Sequence, residues 1–272
     1  MTSNSPAGRS TSLRNSLGSA SGVATDKAAF DRIENWVFDL DNTLYPARCH
    51  LFAQIDARMS SFIRERLDMS PEEARKLQKA YYVQYGTTLS GLMIEHKIAP
   101  DDFLAHVHDI DVSHLPENPL LAAGINALEG RKFIFTNGSV AHAENVLGKL
   151  GIDAGFFTDI FDIRAAEFTP KPHRQTYEKF LEAGRIKPAR AAMFEDLAHN
   201  LEAPHALGMT TVLVCDDVKW FADEPAKKRP ASLEDDHGDH IHHVTDDLTG
   251  FVQHLAGNKP TSHKPSGHKP PA

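Results

Sequence analysis

Cysteine is scarce in this chain. Only Cys49 and Cys215 occur in 272 residues, which excludes a disulfide framework and leaves a reducing, cytoplasmic setting as the expectation. No apolar run approaches the ~20 residues that span a bilayer, and the first residues lack the hydrophobic core of a secretory signal. No membrane role is therefore expected. Positive charge is also short: 29 Lys and Arg stand against 37 Asp and Glu, for a formal net charge of −8. Nucleic acid and anionic lipid both reward a basic face, so neither is an expected partner. A small anionic substrate remains open if a metal and a few placed cations offset the field. What is present is ordinary. At 41% hydrophobic and 24% charged, the chain reads as a globular protein of one large or two modest domains; no feature fixes its oligomeric state.

The two ends differ from the middle. Residues 1–26 are rich in Ser, Gly and Thr with few large apolar groups, and read as a disordered leader. Near the other end Lys259-Pro260, Lys264-Pro265 and Lys269-Pro270 recur every five residues, two of them preceded by His263 and His268. Proline at that density blocks helix and sheet, so 258–272 reads as a flexible basic tail. Metal or polyanion binding there competes with the plainer role of a solubilising tail.

Between the ends, apolar strands alternate with amphipathic helices. Residues 35–39, 132–136, 191–195 and 210–214 are rich in Val, Ile, Phe and Thr and read as strands. Runs such as Phe133-Ile134-Phe135 and Thr211-Val212-Leu213-Val214 suit strands buried on both faces. Helices are expected over 139–150 and 173–183, each stopped by a glycine, Gly151 and Gly184. The alternation predicts an α/β fold: a Rossmann-like parallel-sheet core, with ligands beyond the carboxyl ends of its strands. Residues 47–118 are too long for a simple crossover and read as helical. Leu51, Ile55, Met59, Ile63 and Leu67 repeat every four positions, and Ser70-Pro71-Glu72-Glu73 is a capping box that starts a second helix. An inserted helical cap over 47–118 is the simplest organisation, with 27–46 and 119–257 forming the core. A separate bundle domain is the alternative.

Chemistry concentrates at the expected strand ends. After Trp36-Val37-Phe38 comes Asp39-Leu40-Asp41-Asn42-Thr43. Two carboxylates this close need a cation or a proton between them; the pair suits magnesium and also covalent phosphoryl transfer to a carboxylate. A solvated turn is the plainer reading. Thr136-Asn137-Gly138-Ser139 sets a hydroxyl and backbone N–H groups at a strand-to-helix turn, where an anion or merely a helix cap is satisfied. Thr169-Pro170-Lys171-Pro172 aims one ammonium from a stiff loop. Glu195-Asp196 ends a third strand, with Asn200 on the opening turn that follows, a place where acids also occur for dipole reasons. Each signal has a non-catalytic explanation. Together they supply a nucleophile, a metal site and charge stabilisation for phosphoryl oxygens.

With these motifs the chain resembles the haloacid dehalogenase-like (HAD) hydrolase superfamily over about 33–252: Asp39-x-Asp41-x-Thr43, Thr136, Lys171, and Glu195-Asp196 with Asn200. Tyr81 through Leu92 and His106-Val107-His108-Asp109-Ile110-Asp111, with the Asp39 to Pro46 run, are similar to the pyrimidine 5′-nucleotidase branch. The resemblance implies that Asp39 is the nucleophile and Asp41 the general acid and base, an acid that a dehalogenase does not need. It implies that Thr136, Asn137, Gly138 and Lys171 hold the phosphoryl group. Magnesium would be bound by the Asp39 carboxylate, the Asp41 backbone carbonyl and the Asp196 carboxylate. Thr43, Glu195 and Asn200 would support these groups, Glu195 through a water or by orienting Lys171. The implied substrate is a nucleoside 5′-monophosphate, with a sugar phosphate or phosphoglycolate as the alternative and a non-catalytic binding protein as the remote one. Tyr85, Gly86, Thr87 and Thr88 are the candidate specificity residues. Tyr81 and Tyr82 serve equally as cap core, and His96, His106 and His108 are either cleft or surface histidines. Pro204 is expected to kink or shorten the helix after Asn200. The charged, His-rich stretch 216–243 reads as a mobile surface loop.

Overall fold

Strand β1 (Asn35–Phe38) is buried along its whole length, because it lies at the middle of a parallel sheet. The computed structural model describes residues 27–216, 229, 231–233, 235 and 237–257. The leader, the tail and residues 217–228, 230, 234 and 236 lie outside the described residues, as do the expectations for them. Chain order is β1, α1 (Leu51–Leu67), α2 (Pro71–Tyr85), α3 (Thr88–His96), α4 (Pro100–Val107), α5 (Pro119–Ala127), β2 (Arg131–Phe135), α6 (Val140–Leu150), β3 (Asp159–Phe161), α7 (Arg174–Ala183), β4 (Ala191–Glu195), α8 (Glu202–Leu207), β5 (Thr210–Val214), β6 (His243–Thr245) and α9 (Leu248–Leu255). The sheet order is β3-β2-β1-β4-β5-β6, and every pairing is parallel.

Side chains alternate along each strand and divide the core in two. Trp36, Phe38, Ile134, Phe194 and Val212 face one layer, which contains Leu121 and Ile125 of α5, Val146 and Leu147 of α6, and Phe251 and Val252 of α9. Val37, Phe133, Phe135, Met193 and Leu213 face the other, with Tyr177, Phe180 and Leu181 of α7. The four expected strands are present within a residue at each end. Two more close the edges. Strands β3 and β6 are only three residues long, too short for an alternating pattern to register.

Helices α1–α4 enclose a third core built from Ile55, Phe62, Ile63, Leu92, Phe103 and Val107, joined by Ile163 from the sheet side. The stripe expected on α1 is split: Ile55 and Ile63 belong to this core, whereas Leu51 packs into the sheet layer. The capping box is formed, with Ser70 N–H donating to Glu73 Oε2 at 3.0 Å and Glu73 N–H to Ser70 Oγ at 3.3 Å. Buried Asp56 of α1 accepts from Lys79 Nζ at 2.7 Å and Gln78 Nε2 at 2.6 Å, tying α1 to α2.

Pro204 shortens its helix, as expected. A single 3-10 turn (Ala198–Leu201) carries Asn200, and α8 follows with only six residues. Pro204 stands in the first turn, where a backbone N–H has no intrahelical acceptor, so its missing donor removes nothing. The expectation of a mobile loop over 216–243 needs correction for its described residues. Ala231 is buried, donates its N–H to Asp196 O at 3.3 Å and accepts that of Asp216 at 3.3 Å. His240 Nε2 lies 3.0 Å from Ala198 O, and His242 Nδ1 accepts from Thr211 N–H at 3.1 Å. His243 opens β6. Local hydrophilicity misleads here because these imidazoles bond to fixed backbone groups.

Candidate active site

Adjacent strands β1 and β4 end at the same edge, which brings Asp39 beside Glu195 and Asp196. The Asp39 N–H donates to Phe194 O at 2.9 Å and extends the ladder one step past β1. Carboxylate oxygens of Asp39, Glu195 and Asp196 lie within 4.8 Å of one another, all buried. Lys171 arrives from the loop before α7, almost fully buried. Its Nζ donates to Asp39 Oδ1 (2.7 Å), Glu195 Oε2 (2.8 Å) and Phe135 O (2.9 Å). All three ammonium protons thus have acceptors. The loop itself is pinned by Asn137: Lys171 N–H donates to Asn137 Oδ1 at 2.8 Å, and Asn137 Nδ2 to Lys171 O at 3.2 Å.

Glu195 is committed on both oxygens, since Asn200 Nδ2 donates to Oε1 at 2.7 Å. It therefore orients Lys171, whereas the Asp196 carboxylate has no lysine. Asn200 O in turn accepts from Tyr177 OH at 2.6 Å. Thr43 Oγ1 donates to Asp39 Oδ2 at 3.1 Å. Thr136 Oγ1 accepts the Gly138 N–H at 2.9 Å, which leaves the hydroxyl proton available to an anion.

Burial and the neighbouring Glu195 carboxylate push Asp39 up to about 7, with Lys171 only partly opposing them. Asp196 is also raised, by burial first and then by Glu195 and Asp39. Burial would lower Lys171, but the Asp39 and Glu195 carboxylates hold it above its ordinary value. One ammonium is too little positive charge for three buried acids. Hard oxygen donors with a charge deficit fit magnesium, and the buried Asn42 Oδ1, which has no partner, lines the same cavity. With Glu195 committed to Lys171 and Asn200, Asp39 and Asp196 are the carboxylates that fit such an ion.

Asp41 behaves differently. Burial would raise it, but His142 and then Tyr45 hold it below the usual carboxylate range. His142 Nε2 lies 2.8 Å from Asp41 Oδ1, and Tyr45 OH donates to the same oxygen at 2.6 Å. Neither residue was singled out by the sequence patterns. His142 reads there as one more helix position, although it falls three residues after the cap Ser139 and so sits at the sheet edge where ligands bind.

Above these groups is a cavity of about 140 Å³. Its opposite wall is mainly apolar: Phe52, Ile55 and Met59 of α1, Phe103, Leu104 and Val107 of α4, with Tyr82 of α2 and His108. Of the four candidate specificity residues, Thr87 and Thr88 line it, and Tyr85 and Gly86 do not. Both threonine hydroxyls are engaged within the cap. Thr87 Oγ1 accepts Ser90 N–H at 3.1 Å, and Thr88 Oγ1 donates to Gln78 O at 3.2 Å. Tyr85 OH bonds to Glu95, and Gly86 is packed against Pro170 and His173 at a φ of +82°. Tyr81 is cap core, with its hydroxyl 2.7 Å from His96 Nε2. His106 meets the Phe62 ring edge to face, with centroids 5.4 Å apart. Of the candidate histidines His96, His106 and His108, the last alone lines the cavity.

A family model described as haloacid dehalogenase-like hydrolase matches residues 33–208. Phosphate metabolism protein 8 of Saccharomyces cerevisiae is 28% identical over 198 residues, 65% of this chain and 60% of that protein. This chain thus spans about three-fifths of that relative's length. Among solved structures, a HAD phosphatase from Thermococcus onnurineus is similar with a TM-score of 0.53 at 14% identity, over 84% of this chain and 100% of that one. The putative HAD-hydrolase YfnB from Bacillus subtilis, bound to magnesium, gives a TM-score of 0.52 at 14% identity with the same coverage. At such identities these structures are likenesses of fold. Among the described residues no helix is long and apolar enough to cross a membrane. The family match covers most of the chain and takes in every polar residue of the site from Asp39 to Asn200, and the chain belongs to the haloacid dehalogenase-like hydrolases.

Proposed function

We propose that this chain is a magnesium-dependent phosphomonoesterase acting on nucleoside 5′-monophosphates, pyrimidine ones above all, through an aspartyl-phosphate. One observation carries the reading: a lysine and three acids from three separate segments meet at the floor of a cavity whose opposite wall is mainly apolar. Asp39 attacks phosphorus with a carboxylate oxygen. The Thr136 hydroxyl, the Asn137–Gly138 backbone and the Lys171 proton that Asp39 releases as it bonds to phosphorus take the phosphoryl oxygens as charge builds on them. Asp41, ionised in the free chain, takes up the proton that a phosphomonoester monoanion brings, gives it to the leaving oxygen, then takes one from the water that opens the aspartyl-phosphate. A halide leaves without a proton, so Asp41 favours an ester over an alkyl halide. Magnesium, when bound, offsets the charge of the acids and the phosphate. Glu195 keeps Lys171 aimed, and Asn200 keeps Glu195 in place.

The cavity wall supports a base-bearing substrate. Mainly apolar walls with a few polar groups suit a planar ring, and Tyr82 offers a face on which a base stacks. A sugar phosphate carries no planar ring to set against Phe52, Ile55 and Leu104. Phosphate release from UMP, CMP, ribose 5-phosphate and phosphoglycolate, with MgCl₂ and with chelator, tests the reading. The expected kcat/KM for UMP and CMP exceeds the others by about tenfold or more and vanishes with chelator. A preference for ribose 5-phosphate or phosphoglycolate overturns the nucleotide assignment alone. Release from none of the four overturns the phosphatase.

A further inference from the structure

Two side chains from different parts of the fold meet on a single oxygen of Asp41. Tyr45 comes from the turn after β1 and reaches Oδ1 at 2.6 Å. His142 comes from the first turn of α6 and reaches the same Oδ1 at 2.8 Å. Both are essentially fully buried. Among the described residues Oδ2 accepts no hydrogen bond, while Asp41 lines the cavity beside Asp39 and Thr136.

His142 is itself held by stacking. Its Nδ1 is buried without a partner, so the ring's proton belongs on Nε2, where the carboxylate accepts it. His108 lies face to face on the ring, with centroids 4.4 Å apart and planes 9° from parallel. His108 Nδ1 lies 2.9 Å from Ser139 Oγ, which also accepts the His142 backbone N–H at 3.3 Å. The helix cap, the segment after α4 and α6 thus fix one imidazole plane.

We propose that His142 and Tyr45 are positioning residues for the proton donor, clamping Oδ1 of Asp41 so that Oδ2 faces the oxygen leaving phosphorus. This rests on the phosphomonoesterase reading. In that step an Asp39 oxygen bonds to phosphorus and the P–O ester bond breaks. Its electron pair stays on the leaving oxygen, and the proton that Asp41 Oδ2 has taken from the incoming ester monoanion passes to that oxygen. Transfer requires heavy atoms within about 2.6–3.2 Å. A free carboxyl rotates out of that range, whereas one gripped through Oδ1 does not.

The test compares two esters by kcat/KM, which reports transfer to Asp39. Phenyl phosphate releases a phenol with a pKa of about 10 that needs the proton; p-nitrophenyl phosphate releases a stable nitrophenolate that does not. His142→Ala is expected to lower the phenyl phosphate value by about 10²-fold and to leave p-nitrophenyl phosphate nearly unchanged. His142→Gln, which restores an N–H donor, is expected to recover part of the lost ratio. Tyr45→Phe is expected to show the same selective loss, smaller in size, and decides the matter if His142→Ala fails to fold. Equal losses on both esters, with wild type active, overturn the clamp and leave the phosphatase standing. Wild type inert toward both esters overturns the phosphatase and the clamp together.

Discussion

On the floor of the cavity, Asp39, Lys171 and Glu195 are buried charges whose every bond has a named partner between 2.7 and 3.1 Å. The wall facing them offers Phe52, Ile55, Met59, Leu104 and Val107, and the hydroxyls of Thr87 and Thr88 are engaged elsewhere. The floor is a directional network, in which removing one member strands another charge out of water. The wall is a volume to be filled, and such surfaces tolerate exchange of apolar groups of similar size. The reaction is therefore set by geometry that resists change, and the substrate by a surface that accepts it.

Four experiments probe that contrast, beginning with the largest effect. Asp39→Asn removes the attacking oxygen while keeping the shape, and is expected to lower kcat by about 10⁴-fold or more with an unchanged circular dichroism spectrum; substantial turnover in this variant would refute the covalent route. Lys171→Met leaves Glu195 and Asp39 buried without their cation. Denaturant unfolding is expected to show a loss of about 3–5 kcal/mol, and a loss below 1 kcal/mol would mean that the floor relaxes as easily as the wall. Tyr82→Ala should act on selectivity. The ratio of kcat/KM for UMP over ribose 5-phosphate is expected to fall about tenfold, the scale of one stacked base, and an unchanged ratio would remove Tyr82 from base recognition.

The smallest effect concerns pH. Asp39 is raised from 3.8 to about 7 in the folded chain without metal, so folding favours its protonated form. The stability this contributes is complete below about pH 4 and is lost as pH rises through 7. Magnesium needs the carboxylate, so the gain in Tm on adding MgCl₂ is expected to be larger at pH 8 than at pH 5.5. The same gain at both would show that Asp39 does not hold the ion.

Much of the floor was legible in the sequence because strand ends are marked by apolar runs that stop abruptly at polar residues. Asp39, Thr136 and Glu195 each follow such a run, and a parallel sheet gathers strand ends on one edge. Lys171 was legible from the prolines on either side. His142 and Tyr45 were not, because their role depends on the angle at which α6 and the turn after β1 approach Asp41, and neither periodicity nor spacing encodes that angle. The cap was legible as helices but not as a wall. Thr87 and Thr88 look like recognition hydroxyls in the sequence, yet starting α3 after Gly86 requires an N-cap, and Thr87 supplies it. Strands β3 and β6 escaped because three residues carry no period, and β6 pairs with β5 across nearly thirty intervening residues.

The ion pair between Lys171 and Asp39 joins positions 132 residues apart, and the one between Lys171 and Glu195 adds a further 24. A ribosome that has made Asp39 has made an inert carboxylate; its partners emerge only after the cap, the second strand and the loop before α7 have followed. Hydrolytic power therefore appears late in synthesis and all at once, and fragments cut anywhere between Asp39 and Asn200 are expected to be silent. Under the proposed function, the chain is in this way prevented from attacking phosphate esters before it has built the walls that choose among them.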